Sequence, residues 1–268
     1  MNRTFVTGAL LGCAACGLDL AGTLGADAST SAEGGTIDGG SSGGVDLDAG
    51  GTSKPDGSIE AGPIVHDKTW SGMASGEATI TVANVQAGAG LYIAAITTKN
   101  FTAINSVSGL GVTWARARAQ CGGRSQTMVE LWTATSPSAN GSVSATIDRA
   151  YQTAVMTVSR YPNATKIGGA LSANTYGPNG ACDNGNDNTN LSLTVPKTGN
   201  GPLFGAAAIR LRSHAPGPGN TEILELHHGS SGDTAGLALI ETSGNVLAGT
   251  LDGSDGTDWA LAGAELLP

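Results

Sequence analysis

The sequence has few aromatic residues, few charged residues and no long apolar run. Aromatic residues make up 4% and charged residues 13% of its 268 residues. No apolar segment reaches the ~18–20 residues that a membrane-spanning helix needs. Glycine, in contrast, occurs 42 times. Because glycine inside a helix costs roughly 0.5–1 kcal/mol relative to alanine, a mainly helical fold is excluded.

The net charge of −9 is concentrated in one segment. Between residues 14 and 60, eight acidic residues accompany a single lysine, Lys54, so this segment carries −7 and the remainder is close to neutral. A near-neutral domain beside an acidic segment offers no basic patch to a nucleic acid. We therefore expect no nucleic-acid partner.

Motifs that concentrate catalytic residues are also missing. The sequence contains no Gly-x-Ser-x-Gly nucleophile elbow and no glycine loop that leads into a helix. His227 and His228 are adjacent in a predicted strand, so they are expected on opposite faces and cannot bind one ion together. Glu222 and Glu225 are expected on opposite faces for the same reason. The local sequence thus favours no particular enzyme.

The first thirteen residues have the layout of an export signal. Arg3 supplies a positive charge, residues 5–11 are mainly apolar, and Gly12 and Cys13 follow. The string Leu10-Leu11-Gly12-Cys13 resembles the lipobox of bacterial lipoproteins. That resemblance implies that residues 1–12 are removed as a signal peptide and that Cys13 is lipidated, which anchors the protein in the bacterial envelope, at the outer membrane or cell surface. The alternative is an ordinary N-terminus with a buried cysteine.

Residues 13–62 are predicted to be a disordered tether. They are mostly glycine, serine, threonine, alanine and aspartate, with no aromatic residue. Such a segment cannot bury enough apolar surface to offset the entropy lost on ordering. The aspartates keep no regular spacing of calcium ligands, so a linker is the better interpretation.

Residues 63–268 are predicted to form one all-β domain. Apolar and polar residues alternate in short runs, which turn-forming residues separate. Twelve strands are predicted at 78–85, 91–97, 104–107, 112–120, 128–135, 142–147, 154–160, 191–195, 203–212, 222–228, 236–241 and 259–265. The pattern indicates a two-layer antiparallel β-sandwich, either a jelly roll or Ig-like.

The predicted core of this sandwich comes from the apolar positions of those runs. It consists of Ile80, Val82, Leu91, Ile93, Leu131, Val143, Ile147, Met156, Val158, Leu193, Ile209, Leu211, Leu239 and Leu261. The small residues at 205–208 further predict that two sheets approach closely there.

Five segments of the domain carry a resemblance to known sequences. They are 78–82, 91–96, 111–114, 129–132 and 259–263. Together they are similar to an uncharacterised β-sandwich module of secreted and surface proteins in bacteria. The shared residues are core and turn residues, so the resemblance implies a fold and a surface location and transfers no catalytic residue.

Cys121 and Cys182 are the only cysteines of the predicted domain. An exported protein meets an oxidising compartment, so a disulfide between them is predicted. It closes a loop of about 60 residues, for which chain entropy gives on the order of 4 kcal/mol. The alternative is two separate thiols, and Cys16 beside the anchor leaves the pairing open.

Two loops, 174–190 and 251–259, are rich in oxygen-bearing side chains. Loops at the ends of a sandwich commonly carry recognition. In the first loop, Tyr176, Asp183 and Asp187 are predicted to contact a ligand, and a sugar ring with or without calcium fits these groups. The alternative is that both loops are plain turns, because turns favour the same residue types.

These features favour a membrane-anchored, extracytoplasmic and non-enzymatic module. Its expected partner is a carbohydrate or an envelope protein, or its role is structural. The alternative is a secreted hydrolase that acts on polysaccharide with a site assembled from loops. No cofactor other than calcium is expected.

Overall fold

The residues that the structure describes form β-strands and the connections between them, with no helix. The structure is a computed structural model that describes residues 62–148, 153–183, 185–230, 232–254 and 256–268. The predicted signal peptide, Cys13 and the tether up to residue 61 lie outside these ranges. Inside them, no helix has the length and hydrophobicity needed to cross a membrane.

The strands fall into two groups along the chain. The first group is β1 (Lys68–Ser75), β2 (Thr79–Val85), β3 (Leu91–Lys99), β4 (Ile104–Gly109), β5 (Ala115–Cys121), β6 (Thr127–Thr135), β7 (Gly141–Ile147) and β8 (Thr153–Tyr161). The second group is β9 (Lys166–Asn174), β10 (Gly177–Pro178), β11 (Asn190–Thr194), β12 (Leu203–Ala208), β13 (His214–Pro216), β14 (Asn220–Ser230), β15 (Asp233–Thr242), β16 (Val246–Leu251) and β17 (Ala260–Leu267).

The first eight strands form a two-layer sandwich, which we call the first half. One sheet has the order β1-β8-β3-β6-β5 and the other has the order β2-β7-β4. Tyr92, Ile96 and Val143 are among the buried side chains between them. Eight antiparallel strands that pass between two sheets in this order have the connectivity of a jelly roll.

The remaining strands repeat this order and form the second half. One sheet has the order β10-β9-β17-β12-β15-β14 and the other has the order β11-β16-β13. Apart from the two-residue β10, the strands β9, β11, β12, β13, β14, β15, β16 and β17 take the places of β1 to β8 in sequence. The second half is therefore a jelly roll of the same topology.

The two halves pack through their larger sheets. β1 lies over β14 and β5 lies over β9, so an approximate two-fold axis parallel to the strands relates the halves. Ala206, Ala208 and Ala262 lie in the apolar layer between these sheets, where small side chains allow the sheets to approach as predicted. The all-β antiparallel sandwich is confirmed, and the described chain contains two of them in four layers.

The predicted core residues are buried with one exception. Leu211 is 52% exposed, so its assignment to the core was wrong. The predicted strand 203–212 ends at Ala208, and Arg210 has a φ of 55°, which turns the chain before Leu211. The short strands β10 and β13 were not predicted. Among the longer strands, β1, β9 and β16 were missed, because glycine interrupts the apolar alternation in each.

The stack has two distinct ends. At the first, which we call the entry end, residues 62–67 meet the domain: Asp67 N–H donates to Arg160 O at 3.0 Å and Asn163 Nδ2 donates to Pro63 O at 2.8 Å. At the opposite end, which we call the loop end, the connections include 76–78, 100–103, 122–126, 175–189, 209–213 and 252–259. Both predicted candidate loops lie at the loop end.

Candidate functional site

A disulfide joins the two halves at the loop end. Cys121 is the last residue of β5, and Cys182 lies in the connection 175–189. Their Cα atoms are 5.6 Å apart, within the usual range for a bridge. The predicted disulfide is confirmed, and it ties the long connection of the second half to the first half.

Hydrogen bonds and an ion pair extend this attachment. Gly185 N–H donates to Gly123 O at 2.8 Å, and a Cβ on either glycine would come within 3.0 Å of the other's Cα, so both positions require glycine for this approach. Arg124 Nη2 lies 2.7 Å from Asp187 Oδ2. The fully buried Asp258 accepts from the N–H groups of Arg124 and Gln126 at 3.0 and 3.1 Å. Both candidate loops are thus held against the turn 122–126.

Asn174 organises the start of the long connection. Its side chain is buried and its Nδ2 donates to Cys121 O, Gly180 O and Ala181 O at 2.9–3.0 Å. Its Oδ1 accepts from Tyr176 N–H at 2.8 Å. A side chain with four backbone partners fixes the course of the loop and thereby the position of Tyr176.

Asn188 joins the two candidate loops. Its Oδ1 accepts from Trp259 Nε1 at 2.9 Å, and its backbone forms an antiparallel bridge with Thr257. The same Oδ1 accepts from Asn190 N–H at 3.1 Å. The indole of Trp259, which is only 2% exposed, is thereby held beneath the junction.

Beside this junction lies a groove of about 470 Å³, which we call the Tyr176 groove. It is lined by Asn174, Thr175, Tyr176, Gly177, Pro178, Asn188, Asn190, Ser192, Thr194 and Trp259. Tyr176 is 48% exposed. None of these ten described lining residues is an aspartate, glutamate, histidine, lysine or arginine. The groove therefore presents aromatic carbon, amides and hydroxyls.

The structure separates the three predicted ligand residues. Tyr176 lines the groove, whereas Asp187 lines a neighbouring pocket of about 340 Å³ and is paired with Arg124. Asp183 is exposed and lines neither cavity. The backbone strip of Asp187 and Asn188 lies between the two cavities.

Comparison with known proteins found no relative of this chain. No protein-family model matches the chain, and neither a curated protein nor a solved structure gives a significant match. Function must therefore be argued from the geometry of the sites.

The pocket that contains Asp187 is strongly charged. It is also lined by Arg210, Arg212 and Asp252. Arg210 Nη1 donates to Gln126 Oε1 at 2.6 Å, and burial lowers the pKa of Arg210 despite the nearby carboxylate of Asp258. Among its described lining residues, two aspartates and two arginines balance in charge.

A second polar cluster lies on the face of β14 that is turned toward β13. A β-bulge between Glu222 and Leu224 shifts the strand by one residue, so Glu222 and Glu225 face the same side. Both approach His214: Glu222 Oε2 lies 2.6 Å from its Nδ1, and Glu225 accepts from its N–H at 2.6 Å. The expectation of opposite faces for these glutamates was wrong.

The two adjacent histidines have separate partners. His227 contacts Glu225 Oε1 at 2.9 Å, whereas His228 contacts Ser75 Oγ at 2.9 Å across the sheet interface. Among the described residues, no carboxylate bonds to His228. Within the same ranges, no three histidine, cysteine, aspartate or glutamate side chains are grouped so that they could hold a metal ion.

The sequence did not reveal Asn188, Trp259 or the outward residues of β11 as parts of a site. A tryptophan and several asparagines at the ends of two separate loops were the available signal. Only the contact between those loops shows that the residues share one groove.

Proposed function

We propose that the described domain is a non-enzymatic carbohydrate-binding module displayed on the bacterial surface, with the Tyr176 groove as its binding site. The observation that carries the proposal is the lining of that groove. A half-exposed aromatic ring stands beside uncharged amides and hydroxyls. Such a combination of apolar surface and a few directed polar groups is typical of small-molecule sites.

The chemistry of the lining suits a neutral sugar. The ring of Tyr176 offers an apolar face to the C–H groups of a pyranose, and the side-chain amide of Asn190 can donate to and accept from its hydroxyls. Asn188 can contribute only a donor, because its Oδ1 already accepts two hydrogen bonds. Because none of the described lining residues is charged, a neutral ligand can bind without removing water from an ionised side chain.

The site is also held in place before a ligand arrives. Asn174 fixes the backbone at Tyr176, Trp259 holds Asn188, and the disulfide attaches the loop to the first half. Less ordering entropy is then lost on binding, which favours affinity.

The position of the groove supports display from a tether. β9 runs from the entry end to Asn174, so the groove lies about 25–30 Å from the point where the preceding residues join the domain. If Cys13 is lipidated, as the sequence predicts, the groove lies at the end of the domain opposite the point of attachment.

The competing proposal, a polysaccharide hydrolase, has weaker support. Hydrolysis of a glycoside requires a pair of carboxyl groups on either side of the bond. Glu222 and Glu225 do converge, but on His214 and away from the Tyr176 groove. The Ser75–His228 contact likewise lies at another edge of the stack.

A glycan array probed with the full chain tests the proposal. We expect a neutral glycan to bind, and Tyr176→Ala to weaken that binding at least tenfold. Phe101→Ala is the matched control, because Phe101 is also half exposed at the loop end, at 50%, but lines a different pocket. Absence of any glycan ligand, or equal losses in both variants, would refute the proposed site.

A further inference from the structure

The Tyr176 groove is longer than a single sugar ring. Tyr176 and Pro178 line it near the loop end, and Thr194 lines it at the far end of β11. Asn190 and Thr194 are four residue steps apart on the extended strand, which corresponds to about 13 Å. The groove therefore extends along β11 from the loop end toward the middle of the molecule.

The outward side chains of β11 form a regular polar row. Asn190, Ser192 and Thr194 are exposed, and Leu191 and Leu193 between them are buried in the core of the second half. Residues two apart on a strand lie about 6.6–6.8 Å apart on one face. The groove thus contains a row of three uncharged hydrogen-bonding side chains, and Tyr176 lines the same groove near the loop end.

β11 is also an edge strand. β16 is its only strand partner in the part of the chain that the structure describes. Backbone groups on the other edge are therefore available to a ligand that lies alongside, in addition to the side-chain row. The side-chain row and the unpaired backbone groups both recur at every second residue of β11, so they suit a polymer with a repeating unit.

We propose that the Tyr176 groove binds an internal stretch of a linear, neutral polysaccharide laid along β11, with one ring on Tyr176 and the following rings over Asn190, Ser192 and Thr194. This inference rests on the proposed function and adds the ligand class and its orientation. A terminal sugar would use only the end with Tyr176.

An extended peptide is the other ligand that an edge strand can accept, through main-chain hydrogen bonds. The lining favours the glycan. Peptide recognition at a sheet edge relies on pockets for alternate side chains, whereas the outward positions of β11 carry small or short polar groups and an aromatic ring lies at one end.

The test is a chain-length series measured by calorimetry with the full chain. The probes are cello-, xylo- and manno-oligosaccharides from the monosaccharide to the hexasaccharide. In at least one series, we expect the affinity to rise at least tenfold between the monosaccharide and the trisaccharide and then to level off. Random peptides displayed on phage serve as the competing probe.

A bulky residue in the polar row provides the structural control. Ser192→Trp should reduce hexasaccharide affinity at least tenfold and monosaccharide affinity by a smaller factor, so that the ratio of the two affinities falls. Thr81→Trp is its match, because Thr81 is the exposed residue in the same place on β2 of the first half. It should have no effect on either probe.

Several outcomes would overturn the inference. A monosaccharide that binds as tightly as the hexasaccharide would show a terminal-sugar site and leave the proposed function intact. If only branched neutral glycans bind on the array and the three linear series do not, the linear ligand is rejected and the proposed function again stays intact. Binding of acidic glycans alone would contradict both proposals, because the lining suits a neutral sugar. Selection of peptides whose binding is lost in Ser192→Trp would assign the edge of β11 to a polypeptide. If no glycan of any kind binds, the proposed function itself fails.

Discussion

The two jelly-roll halves share one strand order and differ most in the connection that follows their first strand. In the first half, only residues 76–78 join β1 to β2, whereas residues 175–189 join β9 to β11 in the second half. The approximate two-fold axis places both connections at the loop end. The candidate groove occurs where the connection is long, so it depends on that connection and not on the strand order that the halves share.

A second pair of equivalent positions shows what the halves have in common. At the start of β4, Ile104 N–H donates to the buried Glu130 at 2.9 Å; at the start of β13, His214 N–H donates to Glu225 at 2.6 Å. A glutamate thus holds the fourth strand in each half. The side chains differ, because Ile104 enters the apolar core and His214 bonds to Glu222.

Removal of the disulfide should have the largest effect. The bridge spans 61 residues, so the double variant Cys121→Ser/Cys182→Ser should lose about 4 kcal/mol of unfolding free energy if the bridge acts by chain entropy. For a domain of about 200 residues, each kcal/mol lowers Tm by about 2–4 °C. Chemical denaturation of the oxidised and reduced protein measures the loss. An unchanged midpoint would mean that the long connection is stable without its covalent link.

Loss of Asn174 should have the next largest effect. Asn174→Ala removes four backbone hydrogen bonds from a buried site and should cost about 2–3 kcal/mol, because several buried groups lose their partner. Ser75 ends β1 at the equivalent position but has a single side-chain contact, to His228. Ser75→Ala should therefore cost under about 1 kcal/mol. Similar losses in both variants would contradict the asymmetry between the halves.

Two buried glutamates should respond to pH in opposite directions. Burial alone would raise the pKa of Glu265, but donors from Thr198 and Gly199 outweigh it and hold the pKa below the ordinary 4.5. Burial raises the pKa of Glu130 above 4.5, although Ile104 N–H and Trp132 Nε1 donate to it. One shift is downward and the other upward, so their stability contributions are lost on opposite sides of pH 4.5.

Denaturation of two isosteric variants between acid and neutral pH checks these signs. Because the pKa of Glu265 is lower in the folded protein, its ionised form stabilises the fold above pH 4.5. The difference in unfolding free energy between the wild type and Glu265→Gln should therefore shrink as pH falls below 4.5. Because the pKa of Glu130 is higher in the folded protein, its protonated form stabilises the fold below pH 4.5. The difference in unfolding free energy between the wild type and Glu130→Gln should therefore shrink as pH rises above 4.5. Parallel curves for the two variants would rule out the opposite shifts.

Truncation of Tyr176 should have the smallest effect on stability. The side chain is half exposed, so Tyr176→Ala should change the unfolding free energy by less than about 1 kcal/mol, and Tm by a few degrees at most. The fully buried Tyr92 is the contrast, and Tyr92→Ala should cost about 3–5 kcal/mol. A large loss in Tyr176→Ala would show that Tyr176 is part of the core and not of a binding surface.

Much of the strand pattern was predictable, because alternation of apolar and polar residues reports burial directly. The run at β7 shows it clearly, because Val143, Ala145 and Ile147 are buried and the residues between them are not. β1 and β9 escaped prediction because glycine replaces the apolar residues that reveal the period. Leu211 was misassigned because a positive φ at Arg210 ends the strand, and a backbone turn at arginine has no sequence signal.

The candidate site was less predictable than the fold. Tyr176 could be chosen because an aromatic residue in a polar loop is unusual, and it does line the groove. Asp187 belongs to the neighbouring pocket, and a role for Asp183 stays a prediction. Glu222 and Glu225 were misjudged because one bulge inverts the order of faces along a strand.

By itself the sequence determined that the protein is all-β and predicted most of its core, because alternation and composition are local or countable properties; for Cys121 and Cys182 it predicted a bridge that the structure confirmed. Only the tertiary structure decided that there are two jelly rolls, that their larger sheets face each other, and that Asn188, Trp259 and β11 share a groove with Tyr176. Those facts depend on contacts between residues far apart in the chain, such as Asn188 and Trp259, 71 positions apart. The period of a strand states which face is buried, and it does not state against which partner.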